Sequence, residues 1–350
     1  MKILIAGLGS IGRRHLKNLI TLSEADTPHP VEVLLYRTHR SSLPEAELRQ
    51  FPIETDLQAA LAWGPQAVII ANPTALHLDV AIPAAEAGCH ILVEKPISHN
   101  LERIDQLQAA LQRGGGQLLV GDHLRFHPGL QKVKELLSQQ AIGRPLSLRA
   151  HWGEYLPNWH PWEDYRKGYS ARADLGGGVT LTLSHTLDYA RWLLGEVHSL
   201  WAFAGRLGDL ELSVEDTVEI GLKFENGVLG SLHMDYNQQP PAHTLEIIGT
   251  GGQLKWDNAD GQVQVLRQNV QKPGEPVSEQ DLVPEGFVRT DKVVVRNDLF
   301  LAEMRHFLAV ARCVQAPACT LEDGYQALRL VMAAQESAQK GLLVFMQDFK

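Results

Sequence analysis

The chain has 350 residues, which is room for about two domains at ~150 residues each. It carries 32 Lys and Arg against 41 Asp and Glu, and this net charge of −9 argues against a DNA or RNA partner, which usually requires a basic face. Its three cysteines lack the spacing of a disulfide framework or a zinc module, and no apolar run approaches the ~18 residues of a membrane span. Because the N-terminus has no signal-peptide pattern, we expect a reduced, cytoplasmic protein without a membrane partner.

The first half alternates predicted strands and helices. Its short apolar and β-branched runs are typical of strands buried on both faces. The predicted strands are Lys2–Ala6, Val31–Tyr36, Ala67–Ala71, His90–Val93 and Gln117–Val120. The predicted helices are Arg13–Ile20, Leu57–Trp63, Leu78–Ala87 and Leu101–Gln112. This order predicts βαβ units in an α/β, doubly wound, mainly parallel sheet.

From about residue 145 the predicted strands are no longer separated by helices. They are Pro145–His151, Val214–Phe224, Val228–Tyr236, Thr244–Ile248, Gln253–Trp256 and Gln262–Leu266. Asn226-Gly227 predicts a hairpin between two of them. A long loop is predicted over 268–292, before helices at Leu299–Val314 and Leu321–Gln339. The second half is therefore expected to be α+β, with a largely antiparallel sheet.

A GxGxxG sequence, Gly7-Leu8-Gly9-Ser10-Ile11-Gly12, follows the first predicted strand and opens the first predicted helix. In a dinucleotide-binding unit, the three glycines allow a tight turn, close approach of a pyrophosphate, and close packing of helix on strand. The helix N-terminus, at Ser10 and Ile11, offers free N–H groups to the phosphates. The alternative is a glycine-rich turn that binds nothing.

The end of the second predicted strand bears on the choice between NAD and NADP. An NAD site usually has Asp or Glu there, to bind the ribose 2′-hydroxyl. This chain instead reads Tyr36-Arg37-Thr38-His39-Arg40-Ser41. Arg37, Thr38 and Arg40 would suit a 2′-phosphate, which favours NADP(H) and leaves NAD(H) possible. The alternative is a solvated basic loop.

Four further blocks carry a resemblance to a known family. They are AVIIANPTALHLDVAIPAAEAGCHILVEKP at 67–96, GDHLRFHP at 121–128, GGGVTLTLSHTLDYARWLLG at 176–195 and IGTGG at 248–252. With the glycine loop, they make essentially the whole chain similar to the glucose–fructose oxidoreductase / inositol dehydrogenase / rhizopine-catabolism (Gfo/Idh/MocA) oxidoreductases. The resemblance implies a Rossmann domain over 1–122 and a substrate-binding α+β domain over 123–350, whose open sheet forms homodimers or homotetramers. It also implies hydride transfer between a nicotinamide and a sugar, polyol or related compound.

The resemblance further assigns residues of the 67–96 block to the cofactor: Asn72, Pro73, His77, Glu94 and Lys95. It places Lys95 beside the nicotinamide and the reacting oxygen, where an ammonium can donate a hydrogen bond or relay a proton. It also suggests a cis bond between Lys95 and Pro96. Without this context, a lone lysine would be a surface charge.

His185 matches the family's catalytic histidine, and an imidazole can exchange a proton near neutral pH. A helix is predicted over Thr180–Leu194, and Asp188, three residues after His185 on the same face of that helix, could orient the ring. Many members carry Asp four residues before this histidine, whereas this chain has Leu181 there and Thr182 next to it. Lys95 or Asp188 would then carry more of the proton relay. The alternative is a structural helix histidine.

Residues 151–170 combine aromatic rings with charged groups, as a sugar site does. The alternative is an aromatic loop that only packs a domain interface. The expected substrate-binding residues are Arg125, Trp162, Tyr165, Arg166, Arg172, Thr182 and His185. Similarity to members of polysaccharide and nonulosonic-acid pathways favours a nucleotide-linked or acidic sugar. No metal is expected, since the histidine spacings fit no helical ligand pair and hydride transfer needs no Lewis acid.

These observations favour an NADP(H)-preferring sugar or polyol dehydrogenase. Two alternatives stay open. One is a nicotinamide-binding sensor or regulatory protein without turnover. The other is an enzyme that keeps its cofactor bound while it oxidises one sugar and reduces another.

Overall fold

The structure is a computed structural model that describes residues 1–25, 30–38, 46–267, 287–288 and 296–349. The chain forms two compact units. The first contains Met1–Phe126, Trp162–Gly177 and Arg296–Arg329, and the second contains His127–Pro161, Gly178–Val295 and Leu330–Lys350. Segments distant in sequence thus join the N-terminal 126 residues in one unit. Among the described residues, no helix is long and apolar enough to cross a membrane.

The first unit is built on a parallel sheet. In the described residues it has six strands in the order β3-β2-β1-β4-β5-β6. They are β1 (Lys2–Ala6), β2 (Glu32–Tyr36), β3 (Ile53–Glu54), β4 (Ala67–Ile70), β5 (His90–Glu94) and β6 (Leu118–Gly121). All five neighbouring pairs are parallel. This is the Rossmann strand order, so the predicted doubly wound sheet is confirmed.

Helices cover this sheet. They are α1 (Ser10–Ala25), α2 (Leu57–Ala62), α3 (His77–Glu86), α4 (Ile104–Gly114) and α8 (Arg296–Ala311). Helix α3 contacts β4, β5 and α4, while α8 contacts β5, β6 and α1. Every residue of β4 and β6 is buried, because helices leave a parallel sheet no solvated face. The two-residue strand β3 was not predicted.

The second unit is built on a mainly antiparallel sheet. In the described residues it has nine strands in the order β14-β13-β12-β11-β7-β10-β9-β8-β15. Its first strands are β7 (Pro145–Gly153), β8 (Val197–Gly205), β9 (Thr217–Phe224), β10 (Leu229–Asp235) and β11 (Ala242–Gly249). The rest are β12 (Gly252–Asp257), β13 (Val263–Arg267), β14 (Phe287–Val288) and β15 (Val344–Phe345). Among the described strands of this second sheet, only β7 and β10 pair in parallel.

Burial alternates along these strands, as in β9, so the sheet has one buried and one more exposed face. The helices α5 (Pro128–Ser138), α6 (Val179–Thr182) and α7 (His185–Leu194) contact its strands. Asn226-Gly227 joins β9 to β10 in register, which confirms the predicted hairpin. The last helix is α9 (Leu321–Lys340). Most of the predicted 268–292 loop lies outside the described residues.

The structure differs from the prediction of a single helix over Thr180–Leu194. This segment forms two helices, α6 and α7, separated at Leu183 and Ser184. The second helix begins at His185, so this side chain lies at a helix start rather than in the middle of a helix.

Candidate active site

The glycine loop joins β1 to α1. It follows β1 at the point in the sheet where the strand order reverses, between β1 and β4. Gly7 has φ +92°, and a Cβ there would overlap the backbone of Asn72. A Cβ on Gly12 would overlap the carbonyl oxygen of Gly7, so α1 packs against the loop with no room for a side chain. At Gly9, by contrast, a Cβ would meet no atom within 4 Å. The loop is therefore tight where it packs against protein and open at Gly9, as a pyrophosphate cradle requires.

Polar groups border this loop. Helix α1 begins at Ser10, directly after Gly9, so its first N–H groups lack helical partners. Asn72 follows β4, and its Nδ2 donates to the carbonyl of Leu76 at 3.1 Å. Its Oδ1 is buried and accepts no hydrogen bond from the described residues. The residues present thus fit a dinucleotide, with Gly9 leaving space and α1 supplying donors for the phosphates.

The end of β2 carries the predicted NADP residues. Arg37 is partly buried, and its N–H donates to the carbonyl of Glu54 at 3.1 Å, while Thr38 is exposed. Arg40 lies outside the described residues. The acidic side chains close by are occupied with backbone groups: Glu54 accepts from the N–H of Thr55 at 2.8 Å, and Asp56 caps α2.

The loop after β5 carries Lys95, and the Lys95-Pro96 bond is cis, as the resemblance suggested. The buried ring of His77 lies 3.0 Å from the carbonyl oxygens of both Asn72 and Pro96, so it connects the loops after β4 and β5. Burial lowers the pKa of His77, although both carbonyls and the Glu94 carboxylate favour its charged form. His77 therefore has protein partners at both ring nitrogens, whereas the sequence assigned it to the cofactor.

A buried acidic cluster lies beside Lys95, and nothing in the sequence indicated it. Glu94 is 2.6 Å from Nε2 of His15 on α1. Glu303 on α8 is fully buried, and neither carboxylate oxygen has a hydrogen-bond partner in the described residues. Burial, then the carboxylates of Glu94 and Asp122, raise the pKa of Glu303 well above its usual range. Burial of this carboxyl without a hydrogen-bond partner therefore favours its neutral, protonated form.

His185 lies in the second unit and is 2% exposed. Its ring stacks on Trp152 from β7, with centroids 5.6 Å apart and planes at 21°. Trp152 in turn stacks on His243 from β11, at 4.0 Å and 10°. Asp188, Leu181 and Thr182 are also buried in this unit. The sequence predicted roles for His185 and Asp188 but did not indicate the stacking of Trp152 on His185 or of His243 on Trp152.

The predicted substrate residues divide between the units. Lys95, Arg125, Trp162, Tyr165, Arg166 and Arg172 belong to the first, and Thr182, His185 and Asp188 to the second. The Arg125 side chain is 4% exposed, donates to the carbonyl of Ala318 at 3.0 Å and lies 3.3 Å from Asp323. These contacts account for its burial without a ligand.

The loop arginines are different. Arg166 and Arg172 are about half exposed, and each forms two hydrogen bonds to an aspartate two residues away, Asp164 and Asp174 respectively. Trp162 is 64% exposed. A solute can therefore reach these side chains, but a ligand bound to either guanidinium would also lie close to the carboxylate of its paired aspartate.

Two groups of side chains among the described residues have the composition of a metal site. They are His15, Glu94 and Glu303 in the first unit, and His151, His233 and Asp235 in the second. In the first group, Arg14 interacts electrostatically with Glu94. In the second, His233 bridges Glu219 and Asp235. Each group thus includes a carboxylate that already has a basic protein side chain as a partner.

Comparison with known proteins identifies both parts of the chain. Residues 1–122 match the family described as "Oxidoreductase family, NAD-binding Rossmann fold", and residues 130–255 match the "GFO/IDH/MocA C-terminal domain". A myo-inositol 2-dehydrogenase from Thermotoga maritima is 27% identical, over 99% of each chain.

Solved structures share the fold. A levoglucosan dehydrogenase in complex with NADH and L-sorbose has a TM-score of 0.82 at 23% identity, covering 99% of this chain and 98% of the other. The WlbA dehydrogenase from Bordetella pertussis, in complex with NADH and UDP-GlcNAcA, has a TM-score of 0.76 at 23% identity, covering 99% and 97%. At this identity the likeness establishes the fold alone.

Proposed function

The chain belongs to the GFO/IDH/MocA family of oxidoreductases with an NAD-binding Rossmann fold, and from this premise we propose its reaction. It transfers a hydride between a nicotinamide dinucleotide and a secondary alcohol or ketone of a sugar, polyol or sugar acid. The observation that carries the proposal is the glycine loop, which is open at Gly9 and closed at Gly7 and Gly12. It lies on the same sheet edge as the Lys95 loop, the carboxyl ends of the strands.

When bound, the nicotinamide accepts or supplies the hydride, so the protein must orient the substrate and handle one proton. Lys95 donates a hydrogen bond to the reacting oxygen, which stabilises the charge that develops there. His185 takes the hydroxyl proton in oxidation and returns it in reduction. Asp188, one helical turn later, supports the imidazole.

The cofactor is proposed to be NADP(H) in preference to NAD(H). The support is the end of β2, where Tyr36, Arg37 and Thr38 offer a guanidinium and hydroxyls but no carboxylate. A 2′-phosphate would pair with Arg37, while a 2′-hydroxyl would find no acidic acceptor among these three residues.

Replacement of Arg37 by Ala tests this preference. We expect NADPH affinity to fall by about tenfold or more and NADH affinity to change little, because a charge-assisted contact contributes about 1.5–3 kcal/mol. Arg113→Ala, which removes an exposed arginine paired with Glu86, is the control. Equal losses for both nucleotides in Arg37→Ala would contradict the NADP assignment.

The substrate class is proposed to be a nucleotide-linked or acidic sugar. The exposed Trp162 offers an apolar face for sugar C–H groups, and Arg166 and Arg172 offer partly exposed cations. Related proteins include the WlbA dehydrogenase with UDP-GlcNAcA and a 2,7-anhydro-N-acetylneuraminate hydratase.

Nicotinamide absorbance during turnover tests the reaction itself. Wild type and His185→Ala would be assayed with both cofactors against polyols, uronic acids, nucleotide sugars and nonulosonic acids. We expect turnover with at least one class and a loss of about 10²-fold or more in the variant. A protein that binds nucleotide but turns over none of these compounds would favour the sensor.

A further inference from the structure

His185 has an aromatic neighbour that the sequence did not indicate. Residues 179–184, which lead into His185, read VTLTLS and contain no ionisable side chain. The ring of His185 packs against the indole of Trp152, with centroids 5.6 Å apart and planes at 21°. The face of an aromatic ring is thus one direct neighbour of this histidine.

Trp152 is itself held in one orientation. Its Nε1 donates to Oε1 of Glu154 at 2.8 Å, which fixes the rotation of the indole. His243, its direct partner in the pairing of β7 with β11, stacks on it at 4.0 Å and 10°. Trp256 closes the cluster, with its ring edge-on to His243 at 4.8 Å. Because Trp152 is only 8% exposed, these contacts leave it little freedom to turn.

The ring behind Trp152 carries no charge. Burial, and then the neighbouring His185, His127 and His151, hold the pKa of His243 well below its usual value. Its Nε2 is buried and has no hydrogen-bond partner in the described part of the chain, which agrees with a neutral ring. Among the described residues, the titratable groups that contact the stack include Tyr189 on α7 and Glu154 after β7, and Asp188 lies on the same helix as His185. A neutral His243 does not oppose a positive charge on His185.

We propose that Trp152, held by Glu154 and His243, is the positioning residue that fixes the ring of His185 and stabilises its protonated form. A cation over an indole face within about 6 Å of the centroid is attracted by the quadrupole of the ring, and Trp is the strongest aromatic partner. The indole would thereby do part of what a carboxylate does for a catalytic histidine. The inference rests on the proposed function in one respect: that His185 accepts and returns the substrate proton during turnover.

The test is a pH titration of His185 by NMR on protein labelled in histidine, with the signal assigned by its loss in His185→Gln. The titration midpoint of His185 is expected to be highest in wild type, lower in Trp152→Phe and lowest in Trp152→Leu. In Trp152→Leu it should lie about half a pH unit or more below the wild-type midpoint. In the reduction direction, where His185 gives up its proton, the basic limb of kcat/KM against pH is expected to move by the same amount, because the same ring is titrated. Trp256→Phe, in the same cluster but beside His243, is the control and should leave the midpoint in place.

A Trp152→Leu protein whose His185 midpoint equals that of wild type would overturn the proposal, whatever its activity. If Trp152→Leu does not fold, an unchanged midpoint in Trp152→Phe overturns it equally. Because the titration needs no substrate, a shifted midpoint in a protein without turnover would support the stack while contradicting the proposed function. Activity lost equally at every pH, with the midpoint unmoved, would make Trp152 a merely structural residue.

Discussion

At the scale of single residues, the buried cluster next to Lys95 in sequence joins groups that no local pattern connects. His15, Glu94 and Glu303 come from α1, β5 and α8, and they meet only because the sheet and its helices bring them together. Lys95 and His185 could be proposed as catalytic from the sequence, since short motifs surround them, and these roles stay predictions. The sequence could not identify Glu303, which lies more than two hundred positions from Glu94, nor the stacking of Trp152 on His185.

The buried Glu303 gives a pH-dependent stability. Its pKa is raised in the folded protein, so the unfolded chain releases the proton first as pH rises. Glu303 therefore does not lower the free energy of unfolding at pH values below its pKa in the unfolded chain, about 4.3. Above that pH it lowers the free energy of unfolding increasingly, until the pH reaches its pKa in the folded protein.

We expect Glu303→Gln, which stays neutral, to be more stable than wild type, with an advantage that increases from pH 5 to pH 8. Each unit of pKa elevation corresponds to about 1.4 kcal/mol. Urea unfolding at several pH values measures this. Glu94→Gln is the comparison and should destabilise throughout, since Glu94 pairs with His15. A Glu303→Gln protein that is less stable by the same amount at every pH would contradict a protonated Glu303.

At the scale of elements, the sequence was most informative where a strand is buried on both faces or where a glycine pattern follows it. Strands β1, β4 and β5 read as apolar runs, and all three were predicted. Strand β8 was missed because it has apolar side chains on both faces, with Leu200 buried but Trp201 and Phe203 exposed, so the usual alternation is lost. The break between α6 and α7 contains no Gly or Pro, which explains why one helix was predicted there.

Two alanine substitutions in the glycine loop distinguish an effect on stability from an effect on nucleotide binding. Gly12→Ala places a Cβ against the backbone of Gly7, so we expect it to lower the free energy of unfolding by about 1–3 kcal/mol. Gly9→Ala meets no protein atom, so its stability should stay close to that of wild type. Its nucleotide affinity should nevertheless fall by about tenfold or more, because the methyl group occupies space that the pyrophosphate needs. Thermal unfolding and nucleotide titration of both variants measure this, and unchanged affinity in Gly9→Ala would argue against the cradle.

At the scale of the whole molecule, the large sheet leaves apolar side chains exposed on β8 and β10. Trp201 is 44% exposed, Phe203 70% and Leu229 58%. Trp201 and Phe203 alternate with buried residues of β8, so both lie on the more exposed face of the sheet. An exposed apolar cluster of this kind is typical of a protein–protein interface, and we propose that the chain forms a homodimer or homotetramer through it.

Phe203→Glu tests self-association, since a carboxylate in an apolar interface costs desolvation. In sedimentation velocity we expect wild type as a dimer or tetramer and the variant shifted toward the monomer. Val314→Glu, which changes a residue 73% exposed but outside this sheet, is the control and should sediment as wild type does. A monomeric wild type would contradict the proposed assembly.

The central claim is that this chain catalyses hydride transfer rather than only binding a nucleotide. A single-turnover measurement of nicotinamide absorbance, with cofactor-loaded wild type and Lys95→Met mixed with the same sugar substrate, tests it most directly. We expect the variant, once it is saturated with nucleotide, to transfer hydride about 10²-fold or more slowly than wild type, because the reacting oxygen has lost its charged donor. Equal rates in the two proteins, or no absorbance change in a wild type saturated with cofactor and substrate, would contradict the account.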